Sequence, residues 1–506
     1  MSPAIGPVLG VDIGTSVTKA AVFDARGREI AVASSRTSVS RPQPAWSEAD
    51  PDAVWRAVCG VCRYALARSG AEPADIAAVG VTGVMVGAWL VDSAGALVRP
   101  PILWDDGRAL GWLRRAEAKT PDFLSRVFAS SGSVMQLGCT LPLLAWLAEH
   151  EPRALARSAA VLTAKDFIRL RLTNTLGWDE TEAAVAPGSA AARDFDLSLL
   201  PMFGLGEYCG LLPRVHRSEA VAGAITAEAS AATGLAEGTP VAFGAGDTPA
   251  SVIGAGAGAP GLACTVLGTT CLNGVVVDRP LFEPLDLGLL FALPGDLWMK
   301  TMVNVAGTSN IDWCLKALRP DLAEQPRRFE ALAACAEAGG VGAGGVVYIP
   351  YLSPTGIIAP RIEAGARAGF FGCEPGSRSE HLVRAIFEGV AFAIRDCYAA
   401  IGQPIETIRL VGGGARSPFW TQMIADVVGV PIEIPAGSEF GAKGAALIAS
   451  VAAGRFSSLA EARLASFELD RRHEPNQALR AEYDAAYARY RAASLGSLDL
   501  IAPAYR

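Results

Sequence analysis

The residues Asp12-Ile13-Gly14-Thr15-Ser16-Val17-Thr18-Lys19 stand directly behind the apolar run Val8-Leu9-Gly10-Val11. They lead into the alternating stretch Lys19-Ala20-Ala21-Val22-Phe23. An apolar run that closes on Asp-x-Gly-Thr and reopens into alternation predicts a β-hairpin with a tight glycine turn. Gly14 lets the backbone approach closely. The turn N–H groups and the hydroxyls of Thr15 and Ser16 then face one point, a concavity suited to anionic oxygens. Asp12 at the strand end sits beside those oxygens, where a carboxylate makes sense chiefly with Mg²⁺ between them. A plain hairpin meets the same pattern, so the rest of the chain has to decide.

At 506 residues the chain is too long for one core, and two large domains are expected. Hydrophobic residues at 51% and charged ones at 19% describe an ordered globular protein. The net charge of −7, with no basic cluster, argues against a nucleic-acid partner. Asp12 comes too early for a signal-peptide core, and no apolar stretch reaches the length of about 18 residues that spans a membrane. The expectation is therefore a protein of the cytoplasm with no membrane partner. Cys59-Gly60-Val61-Cys62 spells C-x-x-C, but it falls in a helical pattern with no second pair, which reads as core-facing free thiols. Four scattered histidines make no metal site.

Strands are predicted at 8–12, 18–24 and 29–34. A helix follows with Asp50 as N-cap and Pro51 at its first position, running to about Ser69. An apolar strand at 76–81 ends at Thr82-Gly83, and 88–98 reads as a further hairpin. The plan recurs in the second half, with strands at 262–267, 272–277 and 297–303, the first ending in Gly268-Thr269-Thr270. Buried strands at 346–350 and 408–411 and a long helix at 379–401 complete it. Two halves that each open on three strands with a glycine-threonine turn imply a duplicated α/β domain, divided as 1–254 and 255–506. The glycine-rich run 254–261 between them reads as a hinge.

A second strand-end acid closes the first half in Gly244-Ala245-Gly246-Asp247-Thr248-Pro249. A carboxylate there can take a proton from a hydroxyl as that hydroxyl attacks phosphorus. The competing reading is that Asp247 caps the helix beginning at Thr248-Pro249. Gly268-Thr269-Thr270 offers a second hydroxyl-and-amide cradle. Gly412-Gly413-Gly414-Ala415-Arg416-Ser417 stands at a strand-to-helix turn where a nucleoside can lie on bare backbone. The chain carries neither G-x-G-x-x-G nor a P-loop, so neither of those nucleotide sites is expected.

Taken in order, these motifs resemble the FGGY carbohydrate kinases of the actin-like ATPase superfamily, a likeness that runs essentially end to end. It includes Gln43-Pro44-Ala45-Trp46-Ser47-Glu48, Leu103-Trp104-Asp105-Asp106-Gly107-Arg108, Lys165-Asp166-Phe167 and Ala425-Asp426. The resemblance implies an α/β fold of two actin-like (ribonuclease H-like) domains flanking a nucleotide/sugar cleft. It implies ATP and Mg²⁺, with Asp247 as general base and Asp12 and Asp247 as the metal-side carboxylates. Gly14, Thr15, Ser16 and Lys19 match the first phosphate turn, and Gly268, Thr269 and Gly307 (in Ala306-Gly307-Thr308) the second. Gly413, Gly414 and Ser417 match the adenosine side. Met85, Val86, Trp104 and Asp105, with Asp247, match substrate positions.

The departures bear on the acceptor. Xylulokinases carry Gly-Gln-Met-His-Gly where this chain has Gly83-Val84-Met85-Val86-Gly87. Each lost bond to a buried hydroxyl costs roughly 1 kcal/mol. Tyr351-Leu352-Ser353-Pro354-Thr355-Gly356 also replaces the family's Tyr-Leu-x-Gly-Glu-Arg. The implied activity is ATP-dependent phosphorylation of a primary hydroxyl of a small ketose or polyol. D-xylulose leads, and another ketopentose or a tetritol such as erythritol follows. An actin-like filament or chaperone ATPase, or a sugar-sensing regulator, is the reading from another class. The expected partner is a small sugar or polyol, with a homodimer left open.

Overall fold

The computed structural model describes residues 6–305 and 307–501. The first half is built on a sheet whose strands are β1 (Val8–Ile13), β2 (Val17–Phe23), β3 (Glu29–Arg36), β4 (Ala78–Gly83), β5 (Val221–Ala224), β6 (Pro240–Ala242) and β7 (Ala245–Gly246). Their order is β5-β6-β4-β1-β2-β3, with β7 also beside β4. β1 to β3 form the predicted antiparallel meander, closed at its first turn by the Gly14 N–H donating to the Val17 carbonyl at 3.1 Å. β4 lies parallel to β1, and β6 and β7 lie parallel to β4.

The second sheet comprises β8 (Leu262–Leu267), β9 (Cys271–Val277), β10 (Leu289–Leu293), β11 (Leu297–Asn304), β12 (Thr407–Val411), β13 (Ile432–Pro435) and β14 (Leu469–His473). Its order is β10-β11-β9-β8-β12-β13-β14. With β10 and the short β7 set aside, the two sheets share the order of their first four strands and the same strand directions, as the duplication reading requires. The sequence pass did not anticipate β10. It is an added edge strand, antiparallel to β11, and it leans onto the first half. There the Val134 N–H donates to the Gly288 carbonyl (2.9 Å), and the Leu290 N–H to the Ser133 hydroxyl (2.9 Å).

Helix α1 (Pro51–Ser69) begins as predicted. The Asp50 carboxylate accepts the N–H groups of Asp52 and Ala53 at 3.0 Å, and Gly70 ends the helix in the left-handed region. Its inward face is Val54, Val58, Val61, Cys62 and Ala65, all buried. Cys62 is a free thiol that burial pushes up to about 12, which suits a core residue rather than a reactive one.

Helices α2 (Ala164–Thr173), α3 (Glu180–Val185), α4 (Asp247–Gly254), α5 (Ser379–Ile401), α6 (Pro418–Val428) and α7 (Phe440–Ala452) matter most for the site. α7 comes from late in the chain yet lies on the first half's sheet. A Cβ on Gly10 would overlap the Ala442 carbonyl oxygen, and one on Gly80 that of Ala445. α7 also crosses α4 with the backbones in contact, since a Cβ on Gly254 would overlap the Phe440 carbonyl oxygen and one on Gly444 that of Ala250. Around this crossing Val8, Phe23, Ala78, Ile253, Leu447 and Ile448 share one apolar cluster.

The run read as a hinge is firmly packed. Ala255 and Ala257 are fully buried, and the Gly256 carbonyl accepts from the guanidinium groups of Arg409 and Arg463.

Candidate active site

Three neighbouring parallel strands, β1, β4 and β7, end side by side. They release Asp12, the segment Gly83–Gly87 and Asp247 at one edge of the sheet. Adjacent strands lie about 4.8 Å apart, and the carboxyl ends of parallel strands are where such sheets bind ligands. The Thr82 hydroxyl donates to the Ala245 carbonyl at 2.7 Å, tying β4 to β7.

Asp247 opens α4 as its first residue, and the N-cap position belongs to Gly246. The capping reading therefore fails, although the Asp247 carboxylate does accept the neighbouring Thr248 N–H at 2.7 Å. Burial pushes Asp247 up to about 6, against the pull of the Thr248 N–H and hydroxyl. Asp12 is pushed up to about 7, first by burial and then by the negative charge of Asp247, with Lys19 opposing. Lys19 itself pairs with Glu439 at 2.7 Å. Among the described residues no hydrogen-bond donor reaches the Asp12 carboxylate, which rests against the Gly441 backbone at the start of α7.

Two cradles face each other across the cleft. The first is the Gly14-Thr15-Ser16 turn, with Ser16 exposed and the Thr15 carbonyl held by the Thr37 hydroxyl at 3.0 Å. The second is Gly268-Thr269-Thr270, with both threonines exposed. Gly307 presses against it so closely that a side chain would overlap the Gly268 carbonyl, and the Thr308 N–H donates to that same carbonyl at 2.7 Å. Ala306 lies outside the described residues. Beyond this cradle Gly412 has φ +95°, Gly413 is open to solvent, and Gly414 packs on the Leu267 side chain. Ser417 has a structural role at this turn. Its hydroxyl accepts the Trp420 N–H at 3.3 Å and caps α6.

Between the cradles lies a cavity of about 520 Å³ lined by both halves. Gly14, Thr15, Met85, Val86, Trp104 and Asp247 are among its walls, so the structure unites six residues singled out in the sequence. Trp104 is 46% exposed, and its indole N–H donates to the Thr15 hydroxyl at 2.9 Å. Asp105 does not line this cavity, and one of its carboxylate oxygens pairs with Arg41 at 2.7 Å. The other motif residues bond one another beside Trp104. The Arg108 guanidinium lies 3.9 Å over the Trp46 ring and bonds Glu48 and Asp106, each at 2.8 Å. Asp106 in turn accepts the Ser47 N–H.

The sequence reading missed a buried group of ions behind this wall. Lys165 bridges Asp166 (2.7 Å) and Asp179, while Arg169 bonds Asp166 at 2.6 Å. Burial opposes ionisation of Asp166, but the charges of Lys165 and Arg169 outweigh it and hold the carboxyl below the usual range. The adjoining turn grips both chemical elements. The Gly246 N–H donates to the Thr181 hydroxyl (2.9 Å) and the Val86 N–H to the Glu182 carboxylate (3.0 Å). Lys165-Asp166-Phe167 was the available signal, but its partners lie elsewhere in the chain.

Residues 7–254 match the N-terminal domain of the FGGY family of carbohydrate kinases, and residues 263–453 match the C-terminal domain of the same family. The chain belongs to the FGGY family of carbohydrate kinases. It is 33% identical over 482 residues to the xylulose kinase of Escherichia coli (strain K12), spanning 94% of this chain and 96% of that protein. It is 32% identical over 508 residues to the erythritol kinase of Brucella abortus (strain 2308), spanning 96% of each. Among solved structures, a xyloylose kinase from Brucella ovis superposes with a TM-score of 0.86 at 32% identity, covering 98% of this chain and 100% of that one. As an FGGY member this chain is a kinase that uses ATP and acts on a small sugar or polyol. Among the described residues no helix is long and apolar enough to cross a membrane, and no three His, Cys, Asp or Glu side chains converge as a metal cluster.

Proposed function

We infer that this FGGY kinase phosphorylates a primary hydroxyl of a ketopentose, in the manner of a xylulokinase. The observation that carries the reading is Asp247, an enclosed carboxylate with a raised pKa on the wall of a two-sided cavity that also holds the first phosphate turn. The acceptor hydroxyl gives its proton to the Asp247 carboxylate as its oxygen forms a bond to the γ-phosphorus of ATP. The bond from that phosphorus to the β–γ bridging oxygen breaks, and ADP departs with the oxygen. Asp247 works near neutral pH because a base with a pKa of about 6 is mostly ionised there yet still basic enough to accept a proton. Orientation between the two cradles supplies much of the remaining acceleration.

Asp12 fits a magnesium role, since its carboxylate has no protein donor and lies beside a second acid. A bound Mg²⁺ would neutralise phosphate charge at Asp12 and Asp247. The hydroxyls of Ser16 and Thr269 are free to meet phosphate oxygens, the Thr15 hydroxyl keeps its own proton to donate while it accepts from Trp104, and the exposed Gly413, beside the buried Gly414, offers bare backbone to the adenosine. Cytoplasmic location and a homodimer complete the reading, the latter checked by light scattering.

A tetritol acceptor is the second reading, favoured by the apolar Val84 and Val86 at the cavity wall. A coupled ADP-release screen of ketopentoses, tetritols and glycerol separates the two. In the same assay Asp247→Asn should lower turnover by about 10²–10⁴-fold with ATP binding retained. Near-wild-type turnover would sink the mechanism.

A further inference from the structure

One wall of the cavity is short of hydrogen-bonding side chains to a degree that bears on what it accepts. Val84, Met85 and Val86 present three apolar side chains in succession. Three backbone N–H groups along this segment are also taken. The Val84 N–H donates to the Ile13 carbonyl (3.0 Å), the Val86 N–H to Glu182 (3.0 Å), and the Gly87 N–H to the Gly138 carbonyl (2.9 Å). Met85 continues into one apolar cluster with Val185 and with Leu272, Leu289 and Phe291 from the other half, and all four of these also line the cavity.

Most polar side chains around the cavity are already engaged. The Ser131 hydroxyl donates to the Val127 and Ser133 carbonyls at 3.1 and 3.2 Å. The Ser133 hydroxyl accepts the Leu290 N–H, and the Thr15 hydroxyl accepts the Trp104 indole N–H. The Gln136 amide donates to the Val134 carbonyl at 3.3 Å. Free capacity is left at Asp247, Thr248 and Thr270, and at the Gln136 side-chain carbonyl. The cavity can thus hold one hydroxylated end of an acceptor at the base while offering a dry surface to the remainder.

We propose that the preferred acceptor is a deoxygenated member of the ketose and polyol class. It carries a primary hydroxyl at the end that is phosphorylated and a methyl group, in place of CH₂OH, at the end lying on the valine–methionine wall. This rests on the kinase reading above and specifies its substrate. A hydroxyl set against this wall loses water without gaining a partner, whereas a methyl group gains by leaving water. Discrimination by an apolar pocket against one added hydroxyl is about 10–100-fold.

The test measures kcat/KM by coupled ADP release, with phosphorus NMR of the product, for matched pairs: a ketopentose against its 1-deoxy analogue, and a tetritol against its 1-deoxy analogue. The deoxy member of at least one pair should be favoured about tenfold or more. Val86→Thr adds a hydroxyl at nearly constant volume and β-branching, and should move that ratio toward the hydroxylated member by about 3–10-fold. Parity or preference for the hydroxylated member in both pairs overturns the proposal while leaving the kinase reading intact. Absence of a phosphoester with every acceptor overturns the kinase reading, and this proposal with it. Val86→Lys, if it folds with near-native circular dichroism, should abolish the deoxy preference. An undiminished preference in both variants would show that the wall does not set it.

Discussion

The indole N–H of Trp104 donates to the hydroxyl of Thr15 at 2.9 Å, joining the sugar side of the cavity to the first phosphate turn. The chain on either side of Trp104 is tied down by the Leu103 N–H donating to the Ser47 carbonyl at 2.9 Å and the Asp106 N–H to the Leu103 carbonyl at 3.2 Å, and Gly138 packs against the Trp104 backbone. Under the proposed function Thr15 meets ATP and Trp104 the acceptor, so this bond couples the two substrates. Trp104→Phe keeps an aromatic ring and removes the donor. Loss of one hydrogen bond worth about 0.5–1.5 kcal/mol should raise KM for sugar and for ATP together, by about 2–10-fold. Steady-state kinetics with each substrate varied in turn checks this, and a change confined to the sugar would show that the bond does not couple the two.

The paired acids fix two pH responses of opposite use. With Asp247 as the proposed base, catalysis needs its ionised form, so kcat/KM should fall as pH drops through about 6. Stability runs the other way. From pH 3.8 up to about 7 the folded protein holds protons on Asp12 and Asp247 that the unfolded chain has begun to release, so their contribution to stability declines as pH rises across that window. Asp12→Asn removes one buried charge and should raise Tm at pH 8 while depressing activity. The gain is about 2 °C or less per kcal/mol relieved in a chain of this length that unfolds as one unit. An unchanged or lower Tm in calorimetry would mean that Asp12 is stabilised in a way its surroundings do not provide.

Val86 is a β-branched residue at φ +57°, a backbone region such side chains rarely occupy, and its N–H is held by Glu182. Burial pushes the Glu182 carboxyl well above its ordinary range, with Lys165 opposing only in part. Glu182→Gln keeps an acceptor for the Val86 N–H and should be mild. Glu182→Ala leaves that buried N–H unpaired, at about 1–3 kcal/mol of stability, and lets the wall relax. Its KM for sugar should rise while its KM for ATP stays near wild type, a split that general loss of structure would not produce.

Ser417 gives a control on the adenosine side. As a helix cap, its replacement by alanine should lower stability by about 1 kcal/mol and leave KM for ATP unchanged. A marked rise in that KM would restore the nucleotide contact that the sequence implied.

The parts legible in the sequence are those set by neighbours along the chain. The Gly14 turn, the Asp50 cap of α1 and the strand ends at Asp12 and Gly83 follow from turn chemistry and periodicity within a few residues. The same locality hid the rest. Asp105 looked like a pocket residue because its neighbour Trp104 is one, but its partner Arg41 lies 64 positions away. Glu182 meets Val86 across 96 positions, so neither segment alone reveals the other. β10 was overlooked because Leu289-Leu290-Phe291-Ala292-Leu293 is a short apolar run whose alternation is weak. Its place is set by docking on Ser133 and Val134.

The seating of α7 on Gly10 and Gly80 has a consequence for any attempt to produce the two halves separately. A fragment ending at residue 254 would lose the helix that covers Val8, Ala78 and Ala245, baring a strip of apolar sheet and two glycine backbones. A fragment beginning at 255 would carry Ala442, Leu447 and Ile448 with nothing beneath them. Each half would be aggregation-prone alone, yet the two mixed together hold complementary surfaces and should reassemble. The unit that folds is thus the whole chain, and chimaeras with relatives will succeed when residues 440–452 travel with the first half rather than the second.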